Sequence, residues 1–147
     1  MSLQKPPCFT LAARDAGHLT LLSEQGDAAH VFVLEPDIIR ILLLPRGRLN
    51  HAKTFAIAPG AEDVAPDGRD RFDLAGFSQP EFSLDMDGTD ALRIETAAIR
   101  LEIGLDGFFC SWALRWGAEW RGVARDRATQ AYNFGWWDER VYHYLVR

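Results

Sequence analysis

The chain has 147 residues, 48% of them hydrophobic and 25% charged, with a formal net charge of −5, the make-up of one globular domain with a substantial core. The acidic balance argues against nucleic acid and anionic membrane surfaces as partners, since both call for a basic face. No apolar run approaches the roughly 18 residues of a membrane-spanning helix; the longest, Ile38–Leu44, is interrupted by Arg40.

The opening segment, Met1–Pro7, lacks the charged-then-apolar layout of a signal peptide. Cys8 and Cys110 are far apart and have no metal or redox spacing. A cytoplasmic protein with reduced thiols is therefore expected. Residues 1–8 read as an N-terminal tail, its first three residues resembling a cloning remnant, and residues 9–147 as one β-sandwich domain.

In chain order, Leu19–Leu22, Val31–Leu34 and Ile38–Leu44 are short, apolar and partly β-branched, bounded by Gly, Asp or Pro. That punctuation leaves strands rather than helices. Glu35-Pro36-Asp37 separates the last two, and Pro45-Arg46-Gly47 ends the run. From Ala58 to Arg71 the chain is polar and rich in Pro, Gly and Asp, which predicts a long loop with no strand in it.

Beyond this loop the alternation becomes plain. Phe82–Met86 and Ala91–Thr96 place apolar residues at every second position around Asp87-Gly88 and predict a hairpin. Ile99–Ile103 continues the pattern, and Asp106-Gly107 turns the chain into Phe108–Trp112. Glu119–Val123, a strand through Tyr132 and Val141–Leu145 bring the expected count to about ten. No segment sustains a helical period, and Val123–Thr129 is too short and polar to form one. The predicted fold is all-β, an antiparallel β-sandwich.

All five Trp and all three Tyr lie at or after Trp112, and the aromatic density is highest at the C-terminal end. Large aromatics need a core to cover them, so the chain is expected to be the front piece of a larger protein. Trp136 and Trp137, preceded by Gly135 and followed by Asp138-Glu139-Arg140, are expected at the tip of a hairpin. Core or interdomain packing is the leading role for the pair, and stacking on a sugar ring the lesser one.

Candidate chemistry is sparse. The histidines at 18, 30, 51 and 143 have no metal-ligand spacing. His18 and His30 read as structural, whereas His143, between Tyr142 and Tyr144, is a candidate for contact with a ligand or partner domain. Asp85, Asp87 and Asp90 read as the solvated rim of a turn, and Asp138 and Glu139 are adjacent, so they do not form a glycosidase dyad. No nucleophile elbow, phosphate loop, metal site or cofactor motif is present.

The stretch Asp126–Tyr132, followed by Val141–Leu145 and Arg147, resembles the N-terminal region of family-31 glycoside hydrolases, the α-glucosidase and α-xylosidase group. Asp37–Arg40, Phe82–Asp85, Leu92–Thr96 and Ile99–Ile103 resemble earlier strands of the same region. The resemblance implies a galactose-mutarotase-like sandwich, incomplete at its C-terminal end, that packs on a catalytic (β/α)8 barrel of the same polypeptide. Both catalytic aspartates belong to that barrel, which takes about 250 residues, so no catalytic residue is expected here.

The expected role is that of a non-catalytic domain that scaffolds the barrel and helps shape the pocket for an oligosaccharide substrate. Trp136, Trp137, Asp138 and His143 are the expected substrate or interdomain contacts. The parent protein would hydrolyse α-glycosides, whereas the isolated chain would be inactive, without cofactor or metal, and inclined to self-associate. The alternative is an independent carbohydrate-binding β-sandwich.

Overall fold

The computed structural model describes residues 7–49, 51–56, 59–60, 65–88, 90–127, 132–137 and 140–145, with side chains described as far as Arg127. Among these residues the structure is almost wholly antiparallel β, and the only helical element is a single 3-10 turn at Pro45–Gly47. Four strands, β1 (Phe9–Asp15), β2 (His18–Ser23), β3 (Ala28–Glu35) and β4 (Ile38–Leu44), form one meander. A short ladder joins β5 (Lys53–Thr54) to β6 (Arg69–Asp70).

The second meander has five strands: β7 (Ser83–Asp87), β8 (Ala91–Glu95), β9 (Ile99–Gly104), β10 (Phe109–Trp116) and β11 (Glu119–Arg125). β12 (Tyr132–Trp137) pairs with β13 (Arg140–Leu145) as a separate hairpin.

The two large sheets are held face to face by the residues that alternation points inward. Leu19 and Leu21 of β2 and Ala29, Val31 and Val33 of β3 are fully buried. They share one core with Leu92 and Ile94 of β8, Leu101 and Ile103 of β9 and Cys110 of β10. Burying each such aliphatic side chain is worth about 1.5–3 kcal/mol.

At one end the sheets are tied together by chain: Phe9 N–H donates to the Leu105 carbonyl at 3.0 Å, and Cys8 bridges to Asp106. Phe108 follows this turn with φ of 47°, an unusual conformation for a residue with a Cβ. Its ring is 1% exposed and meets Phe9 edge-on at 5.0 Å, so burial of the aromatic offsets the backbone cost.

The outer face of the five-stranded sheet is a charge ladder. Asp85, Arg93 and Glu102 stand opposite one another on β7, β8 and β9, with Arg93 3.7 Å from each carboxylate. Arg100 reaches both oxygens of Glu95, at 3.0 and 3.1 Å. The exposed pairs among these fix which face is wet and add little stability, about 0–1 kcal/mol each.

The sandwich, the Phe82–Thr96 hairpin and the Asp106-Gly107 turn agree with expectation, and β4 has the predicted limits. Two features differ. β1 was not expected: Phe9 is its only fully buried residue, so its polar remainder carries no strand pattern. The sequence predicts no strand in Ala58–Arg71, yet Arg69 and Asp70 pair with Thr54 and Lys53, because a two-residue ladder is too short to show periodicity. Val123, at the start of the weak helical candidate, belongs to β11.

Leu101 is fully buried and stands between Ile94 and Trp112 across the ladders. Leu101→Ala should cost about 2–5 kcal/mol in urea unfolding. Leu114→Ala, on the same sheet at a side chain 41% exposed, should cost far less. Equal losses at the two positions would contradict the assigned core.

Candidate functional site

The outer face of the four-stranded sheet gathers the polar groups of chemical interest. The β2–β3 turn fixes their register: Ser23 N–H donates to the Asp27 carbonyl at 3.0 Å, and Ser23 Oγ accepts from Asp27 N–H at 3.0 Å. Gly26, at φ of 84°, supplies the left-handed residue the turn requires. This hairpin sets His18 opposite Phe32 and Thr20 opposite His30. β4 then adds Arg40 beside Phe32 and Leu42 beside His30. Two rows result, His18–Phe32–Arg40 and Thr20–His30–Leu42, on the face opposite the main core.

The contacts within these rows are close. His18 Nε2 lies 2.9 Å from His30 Nδ1, and Thr20 Oγ1 lies 3.5 and 3.4 Å from the same two nitrogens. The His18 ring stacks on Phe32 at 4.4 Å with a 12° interplanar angle, and His30 meets Phe72 edge-on at 5.0 Å. All three polar side chains are partly open to solvent.

A segment from Arg69 to Gln79 straps this face. Gln79 N–H donates to the Leu34 carbonyl at 3.0 Å, and Ser78 N–H donates to Glu35 Oε1 at 3.0 Å. Phe77 packs with Phe32 and Leu34 in a second small core beneath the strap. Hydrogen bonds from Ser78 hold the Glu35 carboxyl below its ordinary pKa. Arg40 donates from Nη2 to the Arg71 carbonyl and lies over the Phe32 ring at 4.4 Å. Its Nε and Nη1 are buried without a protein acceptor, and the aromatic face offsets part of that cost.

Burial keeps both imidazoles below the ordinary histidine range. At His18 the charge of Asp15 opposes this and that of Arg40 adds to it; at His30 the neighbouring His18 adds to it. Both shifts favour the neutral form of the imidazoles. Among the described residues no group of three or more His, Cys, Asp or Glu is placed to hold a metal, and no helix is long and apolar enough to cross a membrane.

Trp136 and Trp137 are the last residues of β12, opposite Val141 and Arg140 of β13, so the expected hairpin is present with the pair beside its turn. His143 stands opposite Phe134 in the same ladder. Asp138 falls outside the described residues, as do the side chains of Trp136, Trp137 and His143 on which their expected contacts depend. Asp85 and Asp87 lie in the exposed part of β7, in keeping with a solvated rim. Cys8 is exposed and Cys110 buried, with no disulfide between them.

In the sequence His18 and His30 read as structural residues with no link between them. Their convergence depends on cross-strand register, and the signal for it lay in the hairpin turn at Ser23–Asp27. No protein-family model, curated protein or solved structure matches this chain.

The lowered histidines make stability depend on pH. The unfolded chain takes up protons near pH 6.5, while the folded pair resists them until lower pH. Their contribution is thus complete above about pH 6.5 and is lost as pH falls through the folded-state values. The melting temperature should drop more between about pH 7.5 and 5 in the wild type than in a His18→Gln/His30→Gln variant. Parallel pH profiles would show that the pair is not linked to folding.

Proposed function

We propose that this chain is a non-catalytic β-sandwich domain of an α-glycosidase, of the galactose-mutarotase-like type, packing against a catalytic barrel in the same polypeptide. The resemblance of its strands to the N-terminal region of family-31 glycoside hydrolases supports this function. The structural observation that carries it is the β10–β11 ribbon. Past the Ile99–Leu114 pair, where Arg115 N–H still donates to the Ala98 carbonyl at 2.9 Å, Trp116 pairs with Glu119 of β11 alone. β11 is the edge of its sheet, and nearly all of it is exposed.

Trp116 is 67% exposed, Val123 56% and Leu114 41%. Uncovered apolar surface on an unpaired strand edge is the mark of a contact surface. Here the barrel, or the rim of its pocket, would cover it. Trp136, Trp137, Asp138 and His143 are proposed as further contacts with the barrel or the oligosaccharide.

The second function in contention is an independent sugar-binding module, favoured by Trp116 and by Trp120, whose ring carries Arg100 at 4.6 Å and Arg115 at 5.4 Å. Stacking of a sugar on an exposed indole would then provide the binding.

The deciding experiment is the sequence and activity of the complete reading frame that contains this chain. A barrel following Arg147, with hydrolysis of a chromogenic α-glucoside or α-xyloside by the complete product, is expected. A product with neither barrel nor hydrolysis would overturn the proposal. The 147-residue chain alone should hydrolyse nothing. Saturable quenching of its tryptophan fluorescence by maltose, abolished in Trp116→Ala, would favour the binding module instead.

A further inference from the structure

We infer that the recess beside the β5–β6 ladder binds a small acid whose carboxylate is carried on a ring, with Arg71 holding the carboxylate and Phe55 the ring. The recess is open to solvent and has a volume of about 780 Å³; its lining includes His51, Lys53, Thr54, Phe55 and Arg71. It shares no residue with the β10–β11 ribbon and does not rest on the interdomain assignment.

Arg71 is fixed at three points. Its backbone N–H donates to the Ala52 carbonyl at 2.8 Å, its carbonyl accepts from Arg40, and its Nε–H donates to the His51 carbonyl at 2.7 Å. The last bond orients the guanidinium and leaves Nη1 and Nη2 with no acceptor among the described residues. The carboxylates nearby are engaged elsewhere: Asp73 pairs with Arg69 at 3.1 Å and Asp67 with Lys53 at 2.7 Å. A half-buried guanidinium, held in place with two terminal nitrogens open, is a fork for a planar oxyanion.

The neighbouring charge has the same sign. Burial lowers the pKa of Arg40, and the charges of Arg71 and Arg69 lower it further, against the opposing effect of Asp70 and Asp73. An anion on Arg71 relieves this repulsion, and a neutral solute does not.

Phe55 supplies the apolar half. Thr54 is buried and its Oγ1 accepts from Ala56 N–H at 3.2 Å, so alternation turns Phe55 outward, where it is 66% exposed. The tip of the ring rests on the turn at Gly68, where a Cβ would come within 2.9 Å of Phe55 Cζ. Glycine thus lets one edge of the ring sit against the chain while most of it stays open. An exposed phenyl beside a guanidinium fork selects a ligand with both a ring and a carboxylate. Aromatic acids and sugar acids share that chemistry.

The test is titration of benzoate and of D-glucuronate into the full 147-residue chain, in buffer free of other carboxylates and of phosphate, followed by NMR of the backbone amides and arginine Nε–H groups. Saturable shifts of the Arg71 Nε–H and the Phe55 amide are expected with at least one acid, and the acid that responds tells the two sources apart. Benzyl alcohol and glucose, the neutral counterparts, should shift neither. Arg71→Lys, which keeps the charge and loses the fork, should weaken binding ~10-fold. Phe55→Ala should weaken it ~3–10-fold, and Arg93→Gln, on the other sheet, should leave it unchanged.

Should Arg71→Lys disturb folding, the wild-type shifts and Phe55→Ala, a change at an exposed side chain, still decide the matter. No saturable shift with either acid, binding of acetate as tight as that of the ring acids, or equal affinity in wild type and Phe55→Ala would each overturn the site.

Discussion

Mutual burial of the inner faces of the two meanders is the constraint on which every other feature depends. Leu19, Leu21, Val31 and Val33 from one sheet and Leu92, Ile94, Leu101 and Ile103 from the other are all fully buried. Because side chains alternate along a strand, fixing these residues inward fixes their neighbours outward. A slip of one residue in β2 or β3 would carry His18, Thr20 and His30 into the core. The position of the polar cluster thus follows from the packing of a core it does not join.

The two outer faces are treated differently. On the five-stranded sheet, Asp85, Arg93 and Glu102 form a hydrated ladder that needs no cover. On the four-stranded sheet, Phe32 and Leu34 face outward and would be costly to expose. The Arg69–Gln79 strap covers them, bringing Phe77 and Leu74 onto that face and anchoring itself through Ser78 and Gln79. The cover extends over Phe32 but leaves His18, Thr20 and His30 half-buried at its margin. Partial burial is the condition under which imidazoles stay neutral at pH 7 and still meet solutes. Trp116 and Val123 stay exposed on the β10–β11 ribbon, as Phe55 does just after β5.

Legibility in the sequence followed how much of each strand is buried, and how locally. Ile38–Leu44 could be delimited to the residue because Pro36 and Pro45 bracket a run that is aliphatic but for Arg40. β8 and β9 were legible because inward Leu, Ile and outward Arg, Glu alternate without a break. β1 was not, since six of its seven residues are not fully buried and nothing forces an apolar pattern on them. The hairpin at Trp136-Trp137 was foreseen from Gly135 and the charged residues after it. The His18–His30 cluster was missed because its members come from different strands, twelve residues apart, and meet only once the β2–β3 register is set.

The central claim is that the β10–β11 ribbon is an interdomain surface of a larger hydrolase. Amide hydrogen exchange measured on the 147-residue chain and on the product of its complete reading frame tests it most directly. Amides from Leu114 to Val123 should exchange quickly in the chain alone and become strongly protected in the complete product. The β8–β9 amides should be protected in both. Equal, rapid exchange of the ribbon in the two proteins would contradict the assignment.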